Sequence, residues 1–364
     1  MRKNFVRSFI VARVALLSLA AGAAEASAQL GPNVDVSAFV DVYYGYNFNG
    51  VDPDLRTFDV AHNAFSLALA ELAVAKVPTA SSRVGGRIDL DFGTTADIVG
   101  ATEPADDEVY KHVQQAYVSW LATDALTLDF GKFVTPIGAE VIESQDNWNY
   151  SRSILFGFAI PFYHTGLRAS YAVSERLSLS GFVVNGWNNT FETNSDKTFA
   201  AQAIVTPSDR LTLVGNVIAG NEDDFDGDGE EDLLWLFDTT VSYALSERLT
   251  LMGNFDYGQA ADLIATDESG SWWGIAGYVR YQARPNWALA GRIEHVDDSD
   301  GGFMTIGQTA QSLTATSDHT IANDLSARIE FRFDTVEEDF FTDDEGGPTQ
   351  NQPSLTLGLV YGLN

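Results

Sequence analysis

The chain has 364 residues, 45% of them hydrophobic and 20% charged, which is enough apolar material for one large or two ordinary folded domains and excludes disorder. It contains no cysteine, so neither a disulfide framework nor a thiolate metal site is available. Fifty-one Asp and Glu against 21 Lys and Arg give a net charge of −30, and a surface that negative repels a phosphate backbone, which argues against a nucleic-acid partner.

The first residues read as an export signal. Arg2, Lys3 and Arg7 form a basic stretch, Val14 to Ala24 is apolar, and Ala26-Ser27-Ala28 is a small-residue cleavage site before Gln29. The apolar run, preceded by Arg13 and closed by Glu25, is too short to cross roughly 30 Å of hydrocarbon as a helix. Residues 1–28 are therefore expected to be cleaved, leaving 29–364 as the mature domain. Loss of Arg2, Lys3, Arg7, Arg13 and Glu25 takes the charge to −33.

From there on, apolar and polar residues alternate. Val34, Val36, Ala38, Val40, Val42, Tyr44, Tyr46 and Phe48 occupy one face of the first segment, against the mostly polar Asp35, Ser37, Phe39, Asp41, Tyr43, Gly45 and Asn47 on the other. The same period of two recurs in Arg83 to Gly93 and in Leu325 to Thr335, where Arg328, Glu330, Arg332 and Asp334 share one face. Sixteen such segments can be drawn: 34–48, 63–76, 83–93, 113–122, 126–134, 165–174, 177–187, 198–206, 210–220, 233–244, 248–258, 271–283, 286–297, 308–320, 324–335 and 354–364. In Asn63 to Lys76 the apolar side switches at Ala70-Glu71, which predicts a bulge there.

The connections alternate too. Seven are tight turns, and the eight between them are long: 49–62, 94–112, 135–164, 188–197, 221–232, 259–270, 298–307 and 336–353. Short turns on one side, long loops on the other and an even number of strands are what an all-β, transmembrane antiparallel up-and-down barrel requires, with periplasmic turns and extracellular loops. A secreted sandwich or propeller also alternates, but strict alternation of long and short gaps over a single sheet of this length would be unusual for either. Tyr44, Tyr46, Phe48, Trp187 and Trp273 fall at the loop end and Trp120 and Trp287 near the turn end, as two interfacial girdles would.

The longest connection, 135–164, carries Glu140, Glu143, Asp146, Trp148 and Tyr150, then an apolar stretch from Ile154 to Pro161 that is too greasy to wave in water. In a barrel of sixteen strands it is expected to fold into the lumen as a constriction; packing over the mouth or against a neighbouring subunit is the alternative. Around it, Gln115-Ala116-Tyr117-Val118-Ser119-Trp120, Leu128-Asp129-Phe130-Gly131-Lys132-Phe133-Val134-Thr135-Pro136-Ile137-Gly138-Ala139-Glu140, Asn149-Tyr150-Ser151-Arg152-Ser153 and Pro161-Phe162-Tyr163-His164-Thr165-Gly166 resemble the OmpL-like β-barrel porin family of Gram-negative outer membranes. The likeness extends more loosely over most of the mature chain, to Leu355-Thr356-Leu357-Gly358-Leu359-Val360-Tyr361. It implies a passive outer-membrane channel for small hydrophilic solutes.

The filter of such a channel is its lumen face. By the alternation Arg87, Arg168, Arg280, Arg292, Arg328 and Arg332 point inward, as do Asp89, Asp129, Asp256, Glu294, Glu330 and Asp334. Guanidinium groups facing lipid would be prohibitively costly. Glu140, Glu143 and Asp146 opposite the arginines would set a field across the constriction, although these charges could equally pair with one another. The total charge suggests cation preference. A homotrimer is the oligomer that analogy with other sixteen-stranded porins suggests.

Asp224, Asp226, Asp228 and Gly229 match the first, third, fifth and sixth positions of an EF-hand loop, but its twelfth position is Trp235 instead of Glu, so at best weak divalent binding is expected. That loop and the Asp343-Asp344-Glu345 tip are candidates for bridging to lipopolysaccharide through divalent cations. None of His62, His112, His164, His295 and His319 lies in a nucleophile motif, and no phosphate-cradling, zinc-spaced or dinucleotide motif appears, so neither an enzyme nor a cofactor is expected. A plugged or narrow barrel acting as a surface adhesin or structural protein is the alternative reading.

Overall fold

The structure, a computed structural model, describes residues 34–103, 109–222, 232–264, 268–300 and 302–363. Residues 1–28, expected to be a leader, and the Asp224, Asp226, Asp228 motif lie outside the described residues. Sixteen strands close into one antiparallel barrel. In chain order they are β1 (Val34–Asn47), β2 (Ala64–Lys76), β3 (Val84–Phe92), β4 (Val113–Leu121), β5 (Leu126–Val134), β6 (Tyr163–Ser174), β7 (Leu177–Val184), β8 (Thr198–Ser208) and β9 (Leu211–Asn221). They continue with β10 (Leu233–Ala244), β11 (Leu249–Ile264), β12 (Glu268–Arg284), β13 (Trp287–Asp300), β14 (Thr309–Ala322), β15 (Leu325–Val336) and, after a small ribbon, β18 (Asn351–Leu363), which pairs with both β15 and β1. The ribbon, β16 (Phe341–Thr342) with β17 (Pro348–Thr349), lies in the last long loop. Closure leaves no strand edge, so each backbone N–H and C=O of the wall can find a partner without water.

The side chains are sorted opposite to those of a soluble sandwich. Val118, Phe130, Phe199 and Ile293 are at least 60% exposed on the outer face, whereas Asp89, Asp238, Asp256 and Asp334 are fully buried inside. An apolar exterior and a charged interior make sense only when hydrocarbon is the outer solvent. Trp120 faces outward near the turns, and Trp273, against His295, and Trp287, against His319, lie on the same outer face.

Three expectations change. The bulge in the second strand falls at Ala68: Asp41 faces Leu69 while the next residue, Val42, faces Leu67, so Ala68 is extra and both Ala68 and Leu69 turn inward. The expected loop 259–270 is largely ladder, because β11 and β12 continue with Gln259 opposite Ser271 and Ala260 opposite Gly270. Small and polar residues on both faces gave that stretch no alternation to read. Trp187 leaves the girdle. The seventh strand ends at Val184, and the indole turns inward against Trp272 and Phe303, with ring centroids 6.4 and 6.0 Å away.

One glycine lets β5 lie tight against β4 shortly before the long connection begins. Gly131 in β5 has φ 141°, and a Cβ there would lie 2.2 Å from Ala116 O and 2.7 Å from Tyr117 Cα. Gly131→Ala is expected to lower the urea midpoint of the folded barrel, a loss of about 1–3 kcal/mol. An unchanged midpoint in a urea titration of detergent-folded protein would show that β4 moves aside at no cost.

Candidate channel lumen

The connection between β5 and β6 closes on itself at its base, where Thr135 N donates to Phe162 O at 2.9 Å. Gly138, at φ 93°, makes the first bend against Ile160, whose Cδ1 would be 2.6 Å from any Cβ there. Asn147 holds the tip: its Oδ1 accepts from Val141 N at 3.0 Å and its Nδ2 donates to Val141 O and Glu143 O at 2.8 and 2.9 Å. The return limb contains a single π-helical turn, Leu155–Ala159. Ile154, Leu155, Phe156, Ala159 and Ile160 are buried there in one apolar cluster with Phe39, Tyr43, Phe58 and Trp272 of the wall and first loop. The greasy stretch thus fills part of the barrel interior.

Polar bonds then carry this segment right across the lumen. On the near side Pro136 O accepts from Gln202 and Asn216, both at 3.2 Å, and Ala139 N donates to Asn254 at 3.2 Å. On the far side Tyr150 OH donates to Asp41 at 2.8 Å, and Glu330 accepts from Tyr150 N and Ser151 N at 2.5 and 2.9 Å. Ile154 N donates to Glu294 at 2.7 Å.

The arginine wall is spent on the same task. Arg292, 1% exposed, donates to Glu140 at 2.8 Å, Ser151 O at 2.7 Å and Arg152 O at 3.1 Å. Arg332 donates to Asp334 at 2.7 Å and Arg152 O at 2.6 Å, and Arg328 to Ser144 O at 2.5 Å and Asp318 at 3.2 Å. Five donors in a planar fork suit a guanidinium to satisfying several loop carbonyls at once. Elsewhere Arg87 pairs with Asp89 at 2.7 Å and Arg168 with Asp129 at 2.8 Å, and Arg280, half-buried on β12, forms no ion pair among the described residues. Asp256 shares Asn254 with the buried Asp238. Of the three acids of the connection, Glu140 bonds Arg292 directly, Glu143 accepts from Gln114 on β4 at 3.0 Å, and Asp146 lies within electrostatic reach of Arg328 and Arg87. Burial, reinforced by Glu143, pushes the Asp146 carboxyl up to about 6.

Between the connection and the wall from β5 to β12 lies a cavity of about 300 Å³, lined by Pro136, Asp146, Arg168, Gln202, Thr212, Thr240, Ser242 and Tyr278 among others. On its wall side Gln202, Thr212, Thr240 and Ser242 alternate with the apolar Val134, Ile204, Val214 and Met252.

Several contributors were not singled out from sequence. Arg56, in the first loop, is buried and bonds Asp334 at 2.5 Å and Ser354 at 2.8 Å. Arg152 holds the carbonyls of Val141, Tyr150 and Ile142 in its own segment. The sequence signal for both was an arginine beside aromatic and apolar residues inside a loop. His164 is buried in β6, its ring nitrogens on Thr135 Oγ1 at 3.1 Å and Gly186 O at 2.9 Å. Asp343 turns its carboxylate back onto Glu345 N and Gly347 N, at 3.0 and 2.6 Å.

A closed sixteen-stranded antiparallel barrel, apolar outside and charged inside with one connection folded into it, is the architecture of the outer-membrane porins. Residues 33–363 match the family described as "Putative beta-barrel porin-2, OmpL-like", and the chain belongs to that family. Among solved structures, the outer membrane channel DcaP of Acinetobacter baumannii superposes with a TM-score of 0.63 at 14% identity, covering 93% of this chain and 100% of that one. The anion-selective porin from Comamonas acidovorans gives 0.60 at 9% identity over 90% and 99% of the two chains. The trimer form of OmpT from Vibrio cholerae gives 0.59 at 10% identity over 90% and 98%. No curated protein matches the chain.

Proposed function

We propose that this protein is exported by a leader over residues 1–28 to the outer membrane, where it forms a channel for passive diffusion of small hydrophilic solutes, with residues 135–164 as its constriction. The observation that carries this reading is the cavity between that segment and the β5–β12 wall, where the charged Glu140, Asp146 and Arg168 join hydroxyls, amides and aliphatic side chains. The reading is of a channel and not of an enzyme, which membership of a porin family and likeness to porin folds support. The trimer form of the Vibrio cholerae protein supports a homotrimer.

Cations are the preferred ions in this proposal. Arg292, Arg328 and Arg332 are committed to loop carbonyls and acids, whereas Asp146 opens onto the cavity. Stepwise conductance of the refolded protein in a planar bilayer, with a reversal potential of cationic sign under a salt gradient, is the expected result. Because Asp146 ionises as pH rises through about 6, cation preference is expected to grow between about pH 5 and pH 7, and to lose that dependence in Asp146→Asn. A reversal potential flat across that range in the unaltered protein would remove Asp146 from the filter.

The apolar cluster of Phe58, Ile154, Phe156 and Trp272 within the lumen favours a second reading, a barrel too narrow to conduct that serves as a surface adhesin or structural protein. A folded barrel that never conducts would establish that reading in place of the first.

A further inference from the structure

Round the wall from the arginines of β15, beyond β18 and β1, three carboxylates line the inner face of β2 and β3. Glu71 and Asp91 are direct cross-strand partners, and Asp89 stands two residues earlier in β3. The wall and the inward-folded connection are drawn together here by consecutive residues of β4: Gln115 donates to Asp89 at 2.5 Å and Gln114 donates to Glu143 at 3.0 Å. Both glutamines turn inward because the β3–β4 register shifts between Asp89 and Leu90. Glu143 thereby lies close enough to act electrostatically on Glu71, Asp89, Asp91 and Asp146.

Five carboxylates lie within electrostatic reach of one another here, and the cations near them are already engaged. Arg87 pairs with Asp89 at 2.7 Å, and Lys132 with Glu103 at 2.7 Å. Glu71 and Asp91 are 8% and 2% exposed and have no side-chain hydrogen bond or ion pair among the described residues, and the shielded Glu71 Oε2 and Asp91 Oδ1 have no partner. Buried acceptors that no donor reaches are costly, and a cation or a donor supplied from outside removes the cost.

We propose that Glu71, Asp89, Asp91 and Glu143 form a binding subsite for small organic cations with two ammonium groups. The inference rests on the channel reading and assigns it a class of solute. No three of the acids among the described residues converge on a point where a bare metal ion could be held. Acids divided between wall and connection suit separated charges on a flexible chain instead, and an ammonium brings three N–H donors to Glu71 and Asp91, whose shielded oxygens lack them. Access is from the side of Arg87, whose side chain is 37% exposed, and of Asp146, which also lines the cavity.

The test is calorimetric titration of 1,4-diaminobutane into the detergent-folded barrel, run in parallel with bilayer recording of the same preparation. Saturable binding is expected, weakened by about tenfold or more in Glu71→Gln/Asp91→Asn and in Glu143→Gln, the loss of one or more charge-assisted bonds. Glu143→Gln alters only the connection and keeps the proposal testable if the double substitution in the wall does not fold. Diamine added to the bilayer chamber should reduce current through the unaltered channel more than through either variant. Absence of saturable heat, or equal heat in all three proteins, overturns the subsite, and the buried acids are then held neutral by protons. A barrel that binds diamine but never conducts keeps the subsite and ends the porin reading; one that conducts but binds no diamine does the reverse.

Discussion

Arg292→Met is expected to loosen the inward-folded connection and raise single-channel conductance several-fold while the barrel stays folded. One guanidinium here reaches Glu140, Ser151 O, Ser151 Oγ, Arg152 O and Thr314 Oγ1, and lies 3.4 Å from Glu294. Methionine fills much of its volume but leaves Glu140 and Glu294 as buried charges with one cation fewer, a loss of about 3–5 kcal/mol in comparable broken pairs. The sixteen-strand ladder does not depend on that contact, so the loss falls on the attachment of residues 140–154 and not on closure of the wall. Arg292→Met/Glu140→Gln should recover part of the original conductance, since it removes both members of the pair. Conductance that does not change in the single variant would mean that the remaining bonds, to Glu330, Arg332 and Asp41, hold the segment without Arg292.

Much of this architecture was legible because a membrane wall imposes the same demand on each strand: alternate residues must face hydrocarbon. The run Arg328, Glu330, Arg332, Asp334 therefore betrays the lumen face of β15 without any knowledge of its neighbours. The pattern fails where the demand lapses. Beyond the membrane, Gln259, Ala260, Ser271 and Gly270 extend a hairpin with no face to reveal. Trp187 falls where a girdle residue would be, yet β7 stops at Val184 and Gly186, at φ 151°, breaks the pleat before it.

The lumen was legible as a list of charges and not as a circuit. Whether Arg332 filters ions or holds a carbonyl depends on where residue 152 lies, 180 positions away in the chain. Arg56 could not be assigned to Asp334, 278 positions away, by any local rule. Glu143 illustrates the limit best. Its place in an inward-folding loop was readable, but which wall it faces is decided by Gln114, and Gln114 points inward only because of an irregularity in the β3–β4 pairing.

Replacing residues 139–158 with a short Gly-Ser linker tests the constriction itself, and it should change both conductance and selectivity. The base survives the replacement, because Thr135 N and Phe162 O are already bonded and Gly138 and Ile160 are retained. The apolar cluster loses Ile142, Tyr150, Ile154, Leu155 and Phe156, so the lumen widens, and conductance is expected to rise by about an order of magnitude toward that of an unobstructed barrel of sixteen strands. Selectivity should move the other way from a simple widening. The segment takes Glu140, Glu143, Asp146 and Arg152 with it, a net loss of two negative charges, and uncovers Arg292, Arg328 and Arg332 together with Asp41, Glu294 and Glu330, whose bonds it had occupied. Freed guanidiniums attract anions, so the reversal potential should shift from cationic toward anionic sign, most strongly at low salt where screening is least. A barrel that gains conductance but keeps its cation preference would place the selectivity in the wall acids Glu71, Asp89 and Asp91, and one that gains neither would show that residues 139–158 do not limit the path.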